Sequence, residues 1–122
     1  MPNKKSAVLS LCLFILVFVG SVYAEEKLGI PVYPGASQDV DTTKFLQEGL
    51  KVNGAAYRTN DDAAKVIDFY KGQKDLRVIS SEKEGAIFKK GDKTNVTIQN
   101  PWMDMKTSKM MSDTLISIVS EK

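Results

Sequence analysis

The sequence contains no histidine and a single cysteine, Cys12, which lies in its apolar N-terminal stretch. Without histidine there is no imidazole to act as a general base or metal ligand, and one cysteine cannot close an internal disulfide. Thiol chemistry is excluded as well if the N-terminal stretch is removed as a leader. We therefore predict that the protein is not an enzyme, and we assign it no catalytic and no cofactor-binding residue.

The chain also has little excess charge, with 17 basic and 15 acidic residues. Loss of Lys4 and Lys5 with a leader would leave 15 residues of each sign. Nucleic-acid binding depends on clustered lysine and arginine side chains that neutralise phosphates, and the sequence has no basic run. We therefore expect no nucleic-acid partner.

The first 24 residues have the pattern of a secretory signal peptide. Lys4 and Lys5 precede an apolar run over residues 7–19, and residues 22–24 read Val-Tyr-Ala. Such a pattern predicts cleavage before Glu25 and a periplasmic or secreted protein. The apolar run is shorter than the roughly 20 residues of a transmembrane helix, so we expect no membrane span after cleavage.

Two alternatives for this segment stay open. Residues 9–12, Leu-Ser-Leu-Cys, have the outline of a lipoprotein signal, in which Cys12 would carry the lipid. Alternatively, the signal peptide is retained as an uncleaved anchor.

Residues 25–122 are short enough to form a single domain. After Asn60, apolar side chains recur at the spacing of one helix face, and Thr59 or Asn60 can cap the first turn. Gly72 marks the predicted end of this helix. The apolar set is Ala63, Val66, Ile67 and Tyr70.

Short runs rich in branched residues, separated by turn sequences, predict an antiparallel sheet of four to five strands. These runs are residues 55–58, 76–80, 86–89, 95–99 and 114–119. The last run is apolar on both faces and is expected at the centre of the sheet. Asp41 can cap a short N-terminal helix that runs through Glu48 and is stopped by Gly49. The predicted fold class is α+β, with one main amphipathic helix on one face of the sheet.

Three stretches together resemble a group of small exported proteins of Gram-negative bacteria. They read "GIPVYPGA" (residues 29–36), "AAYRTNDDAAKVIDFYK" (residues 55–71) and "TIQNPW" (residues 97–102). Members of this group share a "YPGA" start and a segment with tyrosine, threonine, a helix and "FY", and they have no assigned activity. The resemblance implies export and an α+β domain, and it implies no functional residue.

Residues 101–111, "PWMDMKTSKMM", contain four methionines and the only tryptophan of the chain. If this segment forms a hairpin with Met103 and Met105 on one face and Met110 opposite Met105, three thioether sulfurs can meet one ion. Thioethers select Cu(I). The pattern resembles periplasmic copper chaperones that use methionines beside a tryptophan, although those proteins also use a histidine.

Two other interpretations of the methionines remain. Methionine fills irregular gaps in a small core, and methionine-rich surfaces suit partner recognition. A contact surface would include Tyr33, Trp102 and Met111 if they are jointly exposed.

We conclude from the sequence that the protein is a non-catalytic binding or envelope-associated protein. Its partner would be an envelope protein or a small apolar ligand, with Cu(I) binding by Met103, Met105 and Met110 as the alternative. A hydrolase of unfamiliar type would instead need a deep cleft lined by buried polar residues.

Overall fold

The computed structural model of the protein describes residues 25–122, so the predicted signal peptide and Cys12 lie outside the described residues. The described residues form ten strands: β1 (Glu26–Lys27), β2 (Ile30–Pro31), β3 (Ser37–Gln38), β4 (Asn53–Thr59), β5 (Arg77–Glu82), β6 (Gly85–Lys90), β7 (Thr94–Gln99), β8 (Trp102–Asp104), β9 (Lys109–Met111) and β10 (Thr114–Ser120). Their helices are α1 (Val40–Lys44), which continues into a π-helical turn (Phe45–Gly49), and α2 (Ala63–Lys71).

The main element is a six-stranded antiparallel sheet with the order β3-β4-β10-β7-β6-β5. Strands β1 and β2 form one small sheet, and β8 and β9 form another. The sequence predicted an α+β fold with one main helix and four to five strands, and this prediction is wrong because the protein is mostly β, with two short helices. Strands of two or three residues are too short to produce a visible alternation, so the predicted number of strands was too low.

The central position of the last strand is confirmed. β10 pairs with β4 on one side, where Ile116 lies opposite Tyr57, and with β7 on the other, where Ile116 lies opposite Ile98. A strand that is paired on both sides and covered on both faces can carry apolar residues at successive positions. This explains why residues 114–119 show no alternation.

One face of the sheet is covered by α2. The helix begins after the N-cap Asp62, whose carboxylate accepts a hydrogen bond from Lys65 N at 3.1 Å, and it ends at Gly72. The predicted apolar face is confirmed, whereas the predicted caps were Thr59 or Asn60. All four predicted apolar residues are buried against the sheet: Ala63, Val66, Ile67 and Tyr70. They pack with sheet residues that include Phe88, Val96, Ile98, Ile116 and Ile118.

The opposite face carries a smaller buried cluster. It consists of Leu46, Ala56, Trp102 and Leu115. Because neighbouring residues of a strand point to opposite faces, Leu115 belongs to this cluster while Ile116 belongs to the first. The cluster lies where the helical segment after α1 and the β8–β9 hairpin cover the β4–β10 part of the sheet.

The buried side chain of Thr43 connects α1 to β4 through a hydrogen bond. The backbone N–H of Ala56 donates to Thr43 Oγ1 at 2.9 Å, and the N-cap carboxylate of Asp39 accepts from Thr42 N at 3.3 Å. The predicted short helix through Glu48 is thus present, but its N-cap is Asp39 and not Asp41. These contacts place the helical segment beside the hairpin.

Candidate functional site

The four methionines of residues 101–111 lie in one antiparallel hairpin, residues 102–111, which we call the methionine hairpin. Its register pairs Trp102 with Met111 and Met103 with Met110. Since cross-strand partners share a face, Trp102 and Met111 lie on one face of the hairpin and Met103 and Met110 on the other. The predicted register, with Met110 opposite Met105, was therefore wrong. Met105 instead follows β8 in the turn.

The inner face of the hairpin is anchored by Trp102. Its side chain is only 2% exposed and packs in the second cluster, against which Met111 is partly buried. The indole Nε1–H donates to Asp113 Oδ1 at 2.8 Å. Buried tryptophan requires such a partner for its N–H group, so Asp113 fixes both the ring and the strand that carries it.

Arg58 completes this anchor, and we call Arg58, Asp39, Asp113 and Trp102 the arginine cluster. Arg58 Nε donates to Asp113 Oδ2 at 2.8 Å, and its Nη1 lies 3.8 Å from Asp39 Oδ1. The guanidinium carbon lies 5.1 Å from the centroid of the Trp102 ring, within range of a cation–π interaction. The hydrogen bond to Asp113 raises the pKa of Arg58 above its ordinary value, which strengthens its role as a permanent cation.

The outer face of the hairpin is exposed. The side chains of Met103, Met105 and Met110 are 49%, 59% and 57% exposed, respectively. The turn that joins the strands is fixed by Asp104, whose carbonyl accepts from Ser108 N at 2.8 Å and whose carboxylate accepts from Lys106 N at 2.9 Å. The methionines are therefore presented on a backbone that is held in place from its other side.

A groove of about 350 Å³ lies between the hairpin turn and the helical segment 41–49. Phe45 and Met105 supply its apolar surface, and Lys106 Nζ lies 3.4 Å from Asp41 Oδ2 across it. The full lining is Asp41, Thr42, Lys44, Phe45, Glu48, Gly49, Asp104, Met105 and Lys106. Three carboxylates and two ammonium groups give this lining a slight negative excess.

A second, more polar depression of about 350 Å³ lies over the arginine cluster. It is lined by Gly35, Ser37, Gln38, Asp39, Arg58, Thr59, Asn60 and Asp113. The charged groups in it already bind one another, because Arg58 contacts both Asp39 and Asp113. Its geometry therefore suits a structural role better than ligand capture.

The residues predicted as a contact surface are not jointly exposed. Trp102 is buried, and Met111 packs beside it. Tyr33 lies against the other cluster, where its ring contacts Phe69 edge-on at 5.4 Å and its hydroxyl donates to Asp61 Oδ2 at 2.5 Å. No aromatic patch of Tyr33 and Trp102 forms. The exposed methionines are instead the three predicted metal ligands, Met103, Met105 and Met110.

Buried polar side chains of the kind that an enzymatic cleft would need are few in residues 25–122. Thr43 and Thr114 are buried, and both are used in structural hydrogen bonds. Thr114 Oγ1 donates to the carbonyl of Asp61 at 2.7 Å and accepts from Asn100 Nδ2 at 2.9 Å. Each of them thus joins neighbouring segments of the fold.

Sequence reasoning missed Arg58, Asp113 and Phe45. Arg58 and Asp113 are 55 positions apart, and they meet because β4 and β10 pair. A single charged residue in a strand carries no local sign of a partner so distant. Phe45 begins a π-helical turn, in which hydrogen bonds join residues five apart, so α-helical spacing does not predict the face of this segment.

No helix in the described part of the chain is both long enough and apolar enough to cross a membrane. Comparison with protein families, with characterised proteins and with solved structures found no significant match to this chain.

Proposed function

We propose that this protein is a non-catalytic binding protein of the bacterial cell envelope, which contacts a partner polypeptide through the methionine hairpin and the adjacent groove. The observation that carries this proposal is the exposure of Met103, Met105 and Met110 on a hairpin whose inner face is buried. Burying a large apolar side chain contributes roughly 1.5 to 3 kcal/mol. Three such side chains left in water on a fixed backbone therefore provide a contact surface with little to rearrange.

Methionine suits this role because its side chain is unbranched and polarisable, so it adapts to the shape of a bound segment. The hairpin supplies rigidity through Trp102, and the methionines supply adaptability at the contact itself. This division matches recognition surfaces that accept more than one apolar sequence.

The groove limits the chemistry of the partner. Phe45 and Met105 favour an apolar side chain, and Asp41 is already paired with Lys106. The carboxylates of Glu48 and Asp104 outnumber the one remaining ammonium group of the lining, Lys44, so a basic side chain next to the apolar one is favoured. We therefore expect a peptide segment that combines an apolar and a basic residue.

Export supports an envelope location for this partner. The N-terminal pattern of Lys4, Lys5 and an apolar run over residues 7–19 predicts secretion, and the chain then meets proteins of the periplasm or the exterior.

The proposal is tested by placing a photoreactive amino acid at Met105 in cells that produce the protein. Asp92, in the exposed turn between β6 and β7, is the matched control position. The expected result is one adduct from position 105 and none from position 92, with a peptide of an envelope protein that contains apolar and basic residues at the crosslink. Equal labelling from both positions, or none from position 105, would contradict the proposal.

A second candidate function is binding of a soft metal ion such as Cu(I). The observation in its favour is that Met103 and Met110 are direct cross-strand partners with exposed side chains, so both sulfurs can reach one ion. Trp102 lies on the other face with its ring over Arg58, which separates it from these sulfurs. Met105, the third predicted ligand, lines the groove instead.

Titration with Ag(I), which replaces Cu(I) without redox change, distinguishes this candidate. Saturable binding that is lost in the Met103→Leu, Met110→Leu variant and kept in Met105→Leu is the result that a two-sulfur site predicts. Leucine preserves the apolar volume, so a loss reports the sulfur atoms. Absence of saturable binding would discard the metal site.

A further inference from the structure

Strand β5 (Arg77–Glu82) leaves a full edge of the main sheet open. It pairs with β6 on one side, and its other side pairs with no strand of the described chain. All six of its residues are exposed, including Val78 at 49% and Ile79 at 51%. The opposite edge of the sheet, β3, is only two residues long.

An open edge of six residues is long enough to serve as a template for another strand. Exposed N–H and C=O groups along an edge pair readily with another strand, and proteins protect such edges with charged side chains, proline, bulges or short strands. The sequence of β5, Arg-Val-Ile-Ser-Ser-Glu, has neither proline nor lysine. A bulge at Ile79 shifts the register with β6 and leaves Ile79 without a partner there.

When β5 pairs antiparallel with β5 of a second copy, the charged residues at its two ends are complementary. If two copies pair antiparallel about a twofold axis between Ile79 and Ser80, Arg77 of each copy lies opposite Glu82 of the other. Opposite charges at directly opposed positions stabilise a strand pair, and like charges destabilise it. The same Arg77–Glu82 ion pair then forms at both ends of the two paired strands, as the twofold symmetry of an isologous interface requires.

We propose that β5 is a dimerisation strand that pairs with β5 of a second copy of this chain and joins the two six-stranded sheets into one. In this register Val78 lies opposite Ser81 of the second copy, and Ile79 and Ser80 lie at the twofold axis. Arg77 Nη2 donates to the Gly91 carbonyl at 3.1 Å, which orients the guanidinium while leaving its other N–H groups for the second copy.

The dimer leaves the methionine hairpin accessible. The hairpin and α1 cover the β4–β10 part of the sheet, and β5 is separated from β10 by β7 and β6. Each dimer therefore presents two copies of the proposed contact surface, which increases its avidity for a repeated partner. Dimerisation and partner binding are separable, because no residue of β5 lines the groove.

Charge reversal tests the pairing. The protein is expressed from its full-length reading frame, purified in the form that the cells accumulate, and examined by sedimentation velocity up to millimolar concentration. Arg77→Glu alone places two glutamates opposite each other at both ends, and Glu82→Arg alone does the same with arginines. Each single variant is expected to weaken dimerisation by about tenfold or more.

The double variant Arg77→Glu, Glu82→Arg restores opposite charges and is expected to recover most of the dimer. Ile79→Lys, with a charge next to the twofold axis, is expected to be monomeric, and Val40→Lys is its control because Val40 is also exposed but lies in α1. Circular dichroism confirms that each variant is folded. A wild-type monomer at every concentration, or a dimer that the single reversals leave unchanged, would overturn the proposal, as would a double variant no better than the singles.

Discussion

Trp102 and Asp113 are joined by a hydrogen bond of 2.8 Å between the indole Nε1–H and Oδ1, and Arg58 binds the other oxygen of the same carboxylate at 2.8 Å. One carboxylate therefore connects the methionine hairpin to β4. This connection lets the hairpin expose its methionines on one face without losing its position on the sheet.

The Trp102–Asp113 bond is expected to contribute measurably to stability. Hydrogen bonds to charged groups contribute about 1.5 to 3 kcal/mol, so Trp102→Phe should lower the free energy of unfolding by about 2 kcal/mol. Asp113→Ala should have a similar effect because it removes the same bond and leaves Arg58 without its closest partner. The measurement is urea unfolding followed by far-ultraviolet circular dichroism.

Because the two substitutions remove the same bond, their effects are not additive. The double variant should be about 1 kcal/mol more stable than the sum of the single effects predicts. Met103→Leu is the control for the hairpin, and it should change stability by less than about 0.5 kcal/mol because Met103 is exposed. Additive effects would show that Trp102 and Asp113 do not interact.

Gly54 in β4 is expected to tolerate no side chain. Its φ is +149°, and a Cβ atom built on it would lie 2.2 Å from the carbonyl oxygen of Ile118 in the paired strand β10. Gly54→Ala should therefore cost about 3 kcal/mol or more by overpacking. Gly35→Ala should cost only about 1 to 2 kcal/mol, since Gly35 has a φ of +84° but open space around it. Equal costs for the two variants in thermal unfolding would contradict this account of β4.

Stability should fall as the pH rises above 10. The hydrogen bond to Asp61, assisted by burial, raises the pKa of Tyr33 from 10.0 to about 12, and burial raises the pKa of Tyr57 and Tyr70. Between pH 10 and 12 the folded chain keeps the Tyr33 proton that the unfolded chain loses. The unfolded state then binds fewer protons, so the free energy of unfolding decreases through this range.

Two measurements check the tyrosine prediction. Tyrosinate absorbance of the folded protein should stay small at pH 10, where tyrosines of the unfolded chain are half ionised. The Tyr33→Phe variant should lose stability less steeply between pH 10 and 12 than the wild type. An identical slope in the two proteins would mean that Tyr33 does not hold its proton.

The intact mass of the protein recovered from the cell envelope should match a chain that begins at Glu25. The basis is the Val-Tyr-Ala pattern at residues 22–24, which suits the cleavage site of a secretory signal peptide. Replacing Ala24 by leucine should block processing and yield the longer chain. A wild-type mass that includes residues 1–24 would support the anchor alternative, and a lipid mass on Cys12 would support the lipoprotein alternative.

Elements with a long, uninterrupted pattern could be predicted from the sequence. The buried face of α2 follows from the spacing of Val66, Ile67 and Tyr70, and the central place of β10 follows from its lack of alternation. Both signals are local, because every residue that creates them lies in one element. The fold class was wrong because β1, β2 and β3 have two residues each and leave no periodic pattern.

The candidate site was only partly predictable. The methionines drew attention by composition, but which of them are exposed depends on the hairpin register. That register is set by Trp102 entering the cluster with Leu115 and with Leu46, which is distant in the chain. The groove depends on the contact between Thr43 and Ala56, which has no sequence signal.

If the groove beside Met105 holds a partner, crosslinking from this position depends on Phe45. Photocrosslinking from position 105 is compared in the wild type and in Phe45→Asp, which removes the apolar surface of the groove. Val40→Asp is the control, since Val40 is an exposed apolar residue of α1 that does not line the groove. The adduct is expected to be lost in Phe45→Asp and kept in Val40→Asp. An adduct of equal yield in both variants and the wild type, or no adduct in any of them, would contradict this expectation.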